Sequence, residues 1–143
     1  MNRKFVVLIT VFALSVCEDL GYFYDEPIDG PYRLVAVDEM IQMQVCYPVK
    51  HGCVERIPET VFAVGYNRLY ITGAVHPLND RDPVAGHGED KNITQYYYII
   101  RSLDGSPVFS KDSVRGPFDG KAYAVEQKRL SLPPLSHVLP ELR

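Results

Sequence analysis

The chain has 143 residues, 46% of them apolar and 23% charged, with 15 basic and 18 acidic side chains and a net charge of −3. That length suits one domain with a proper core, the composition is too apolar for intrinsic disorder, and no basic excess marks a nucleic-acid binder. The 10 tyrosines and 11 prolines, with no tryptophan, favour strands and turns.

The first seventeen residues differ from the rest. Asn2-Arg3-Lys4 precedes an uncharged run from Phe5 to Val16, and Glu18-Asp19 follows at once. A basic start, a short apolar core and a polar continuation predict a signal peptide, because the run falls well short of the ~20 residues that cross a bilayer as a helix. Cleavage fits after Ser15 or after Cys17. Leu14-Ser15-Val16-Cys17 also resembles a lipobox with Cys17 as the lipidated residue, departing from it at Val16, where such signals carry Gly, Ala or Ser. Acylation of Cys17 would tether the domain to a membrane surface. Removing residues 1–17 takes away Arg3 and Lys4 and no acid, which moves the net charge from −3 to −5.

Residues 18–30 are acidic, aromatic and turn-rich and read as a linker to a single domain over residues 31–132. Strands are predicted over Tyr32–Asp38 and Ile41–Tyr47, with Asp38-Glu39 as the reversal that makes them neighbours. In the second, Ile41, Met43, Val45 and Tyr47 share one face and Cys46 lies on the other. Cys46 and Cys53 flank a turn containing Pro48 and Gly52, so in an oxidising compartment they are expected to form a disulfide. A metal site built on them with His51 would lack a fourth ligand.

Thr60–Tyr66 and Leu69–Val75 read as a hairpin turning at Asn67, a residue that tolerates left-handed backbone. Residues 78–92 form a charged surface loop. A long strand runs over Ile93–Leu103, ended by the turn dipeptide Asp104-Gly105, and a short one over Ser106–Ser113. Gly116-Pro117-Phe118-Asp119 introduces a helix to about Leu130, with Phe118, Ala122 and Val125 on one face. Residues 133–143 read as an extended tail. The sum is an α+β domain: a meandering antiparallel sheet of five to six strands with one C-terminal helix covering its apolar face.

The ordered set Val61-Phe62-Ala63-Val64-Gly65-Tyr66-Asn67, His76-Pro77, Tyr96-Tyr97-Tyr98-Ile99 and Gly116-Pro117-Phe118-Asp119 resembles a family of small exported bacterial proteins, several of them lipoproteins, described only as domains of unknown function. The resemblance spans roughly residues 31–132. It implies a cell-envelope protein and supplies no catalytic residue.

Candidate chemistry is sparse. The 76–92 loop holds His76, His87, Glu89 and Asp90, side chains able to serve a small ligand, a divalent ion or a hydrolytic step, but their spacing does not match a calcium loop. No nucleophile elbow, phosphate-binding glycine loop or HExxH motif occurs, and no cofactor is implied. Tyr96 and Tyr98 share one strand face and Tyr97 takes the other, so a solvent-facing side would make an aromatic binding surface, against the alternative of cross-strand packing. The expectation is a non-catalytic envelope protein, periplasmic or lipid-anchored through Cys17, that binds another envelope protein and includes inhibitor or immunity roles. The alternative is a small periplasmic ligand- or metal-binding domain or hydrolase that uses the 76–92 loop.

Overall fold

Short β-prone runs separated by turn residues build the fold. The computed structural model describes residues 21–79, 88–105 and 112–143. Strands β1 (Tyr24–Asp29), β2 (Tyr32–Ala36), β3 (Gln44–Val49) and β4 (Gly52–Ile57) form one antiparallel sheet in that order. Strands β5 (Val61–Tyr66), β6 (Tyr70–Val75), β7 (Gln95–Ile100), β8 (Val114–Phe118) and β9 (His137–Val138) form a second, in the order β8-β7-β6-β5-β9. Helix α1 (Gly120–Leu130) is the single α-helix among the described residues. The α+β class, antiparallel meander and late helix are therefore present, with nine strands in two sheets among the described residues instead of five to six in one.

The sheets share an apolar core. Leu34, Val45 and Ile57 from the first meet Val61, Val64, Ile71 and Ile99 from the second, and all are buried. Cys46 and Cys53 are joined across the β3–β4 hairpin, with their Cα atoms 5.7 Å apart. A bridge closing so short a loop stabilises the fold by ~2–3 kcal/mol through the unfolded chain's lost entropy.

Several local readings change. Residues 24–29 form edge strand β1 instead of linker. Met40–Gln42 is a 3-10 turn instead of the start of a strand, because the Gln42 side chain accepts from the amides of Asp38 at 2.7 Å and Glu39 at 3.3 Å. A register shift between Val45 and Cys46 lets both be buried, where strict alternation puts them on opposite faces. Asn67 closes the β5–β6 hairpin through its side-chain oxygen, which accepts from Leu69 N and Tyr70 N at 2.8 Å each, and not through left-handed backbone.

Residues Gly116–Phe118 belong to β8, and the helix starts after Asp119, whose side chain accepts from Ala122 N at 2.7 Å. Its buried residue is Tyr123, while Val125 is 63% exposed. The sheet beneath is aromatic, so the helix turns its own tyrosine inward: Tyr123 stacks on Tyr96 at 4.6 Å. Residues 106–111 lie outside the described residues, so the strand expected there is untested. The tail contributes β9 and a 3-10 turn over Pro140–Leu142, and seats Leu139 and Leu142 in the shared core.

One ion pair ties the sheets together. Arg56 of β4 donates from Nε to both carboxylate oxygens of Asp104, at 2.9 and 2.8 Å, and both side chains are 0% exposed. Tyr32 of β2 donates to the same carboxylate at 3.0 Å. Removing one partner of a buried pair leaves an uncompensated charge. Arg56→Met and Asp104→Asn are each expected to lose about 3–5 kcal/mol in urea unfolding, and Arg56→Met/Asp104→Leu to lose less than the two singles added together. Single variants within about 0.5 kcal/mol of the native chain would contradict this assignment.

Candidate functional site

The free edges of the two sheets meet at a cleft. The hairpin from β1 to β2 turns at Gly30, whose φ of 58° suits glycine and whose missing Cβ leaves room for Arg101 Nη2. Arg101 binds Asp29 at 2.5 Å and the Asn67 carbonyl at 2.7 Å, pinning this turn to the β5–β6 hairpin. On the opposite wall, the segment after α1 crosses β5 against Gly65, where any Cβ would collide with the Pro134 carbonyl. It then turns at Ser136 and lies beside β5 as β9, with Ala63 opposite Val138 and Val64 opposite His137.

Between these walls is a cleft of about 310 Å³. Glu26, Pro27 and Ile28 of β1 line one side, and Tyr66, Ser136 and His137 the other, with Leu34 and Val64 contributing apolar surface. Tyr66 is 48% exposed. His137 Nε2 lies 3.5 Å from Glu26 Oε2, and the two side chains are 44% and 43% exposed. Tyr24 donates its hydroxyl to the same carboxylate oxygen. Burial, followed by this hydrogen bond and the charges of Glu26 and Glu141, pushes the Tyr24 pKa up to about 12. The cleft thus combines apolar walls, a half-exposed aromatic ring and a carboxylate with an imidazole 3.5 Å away.

Other expected residues have different environments. Tyr97 and Tyr98 are buried, Tyr97 in the shared core and Tyr98 under α1. Tyr98 donates to Glu126 at 2.7 Å, and burial together with that bond raises its pKa to about 12. Tyr96 is half-buried and stacked on Tyr123. The triplet is therefore packing, not an open aromatic surface, because α1 covers one face of β7 and the first sheet the other.

His76 is buried, stacked on Phe62 at 4.1 Å, with Nδ1 2.8 Å from the Ile93 carbonyl. Glu89 pairs with Lys91 at 3.4 Å, and Asp90 accepts from the Asn92 amide at 3.0 Å. These three do not converge, and among the described residues no group of three or more His, Cys, Asp or Glu side chains could hold a metal ion. Cys17 and His87 lie outside the described residues.

Glu26 and His137 are not legible as site residues in the sequence, because linker-like and tail-like segments carry them. The alternation of Tyr24, Glu26 and Ile28 was the available signal for β1, obscured by the intervening acids and Pro27. No family model, curated protein or solved structure matches this chain.

The folded-state pKa of Tyr24 lies above its ordinary value of 10.0, so its bond to Glu26 stabilises the fold fully below pH 10.0 and is lost as pH rises through about 12. Tyrosine-ring carbon NMR is expected to show Tyr24 titrating near 12, and Glu26→Gln to bring it back towards 10.0. An unchanged Tyr24 titration in Glu26→Gln would contradict the contact.

Proposed function

We propose that this chain is an exported, non-catalytic protein of the bacterial cell envelope that binds another protein in the cleft between β1 and β5–β9. The cleft carries the proposal. It joins apolar side chains to a half-exposed tyrosine and a polar rim, the composition that favours protein recognition. The Cys46–Cys53 bridge supports an oxidising compartment. The basic start and apolar core of residues 2–16 support export through a signal peptide, and Cys17 is the residue that would carry a lipid if the mature domain is anchored.

The reading is tested by a photo-crosslinking amino acid placed at Tyr66 or, as a control, at the exposed helix residue Val125, in the full chain expressed in a bacterial host with an intact envelope. Irradiation is expected to give a discrete protein adduct from position 66 and none from position 125. Equal labelling at both positions, or none at 66, would overturn the docking site.

A further inference from the structure

The backbone around the cleft narrows the kind of partner. Successive residues of a strand direct their amide and carbonyl groups to opposite edges, and alternate residues to the same one. Val64 turns its groups to His137 of β9, and Leu139 N donates to Phe62 O at 2.8 Å in the same ladder. Tyr66, two residues beyond Val64, directs its groups to the same edge. There β9 has ended, since the chain turns at Ser136 with its amide 2.9 Å from the Pro134 carbonyl. Across the cleft, Phe23 N donates to Val37 O at 3.0 Å, which phases β1 so that Tyr24 and Glu26 direct their backbone groups away from β2. The cleft therefore lies between two strand edges, one of them only partly covered by a two-residue strand.

Charge selects among strands that could enter. β1 carries Asp25, Glu26 and Asp29 and no base. Asp25 is bound to Arg33 at 2.5 Å and Asp29 to Arg101 at 2.5 Å. Glu26 has His137 Nε2 3.5 Å from its carboxylate. Glu141 adds negative charge beside Tyr24. A second copy of β1 would bring further carboxylates against these.

Resting on the docking site proposed above, we infer that the cleft takes an extended segment of a partner protein, which adds as a strand along the Tyr66 end of β5 and sets a lysine or arginine against Glu26. Main-chain hydrogen bonds would supply affinity and the basic side chain register.

The test uses a short extended peptide of alternating valine and threonine with one central lysine. Three comparison forms have glutamate for the lysine, N-methyl groups on alternate amides, or the N-methyl groups on the other set of amides. Binding to the full chain is followed by fluorescence anisotropy. The lysine peptide is expected to bind, the glutamate form about tenfold or more weakly. One N-methylated form is expected to lose binding while the other keeps it, since only one peptide edge joins β5. In Glu26→Gln the preference for lysine over glutamate is expected to disappear. No binding by the lysine peptide, indifference to both N-methyl patterns, or a lysine preference that survives Glu26→Gln would each overturn strand addition with a basic anchor. A Tyr66 crosslink combined with any of these results leaves the docking site and removes only this inference; loss of the crosslink removes the site itself.

Discussion

The buried pair of Arg56 and Asp104 fixes how the two sheets face one another. Arg56 sits on β4 and Asp104 follows the 3-10 turn after β7, so the bond spans the two sheets. Charges without access to water are costly unless their hydrogen-bonding capacity is met. Here the carboxylate accepts from Arg56 Nε and from the Tyr32 hydroxyl, while the guanidinium lies 5.1 Å over the Tyr47 ring. These groups come from β2, β3, β4 and the end of β7. The arrangement constrains the relative position of both sheets more narrowly than apolar contact alone, since ion pairs and hydrogen bonds are directional and hydrophobic burial is not.

With the sheets so oriented, the cleft depends on the C-terminal segment. It leaves α1 through Ser131, in a left-handed conformation with φ 51°, crosses β5 at Gly65 and ends with Leu139 and Leu142 in the shared core. The segment both completes the core and closes part of the gap between β1 and β5. Because β9 pairs only with Ala63 and Val64, the closure stops before Tyr66. The cleft follows from this short pairing and takes its carboxylate from Glu26, while Glu141 adds negative charge beside Tyr24.

The sequence pattern carried the strands whose alternation or turn residues are strong: β2, β5, β6 and β7, the β3–β4 hairpin and the cysteine bridge across it. It was misleading where tertiary packing decides. Nothing local distinguishes Asp104 in a turn dipeptide from an exposed aspartate; its burial requires Arg56, 48 residues away. The division into two sheets is likewise set by long-range partners, because hairpins look alike whether they join one sheet or two. Helix α1 was legible in extent but not in facing, since Tyr123 turns inward on an aromatic sheet that only the fold assembles. The tyrosine triplet gave the correct alternation but could not reveal that both faces are covered. Glu26 and His137 lie 111 positions apart in the chain numbering and meet only through β1 and β9.

The partly covered edge of β5 is the claim on which the functional account turns, and native-state amide hydrogen exchange resolved by NMR tests it directly. Val64 and Tyr66 share one strand and direct their amides to the same edge, but only Val64 has a β9 residue opposite it. The account predicts strong protection of the Val64 amide and exchange at Tyr66 faster by at least about a hundredfold, a difference of about 2.7 kcal/mol in opening free energy. Equal protection at the two positions would show that the edge is already filled and would contradict the open strand edge.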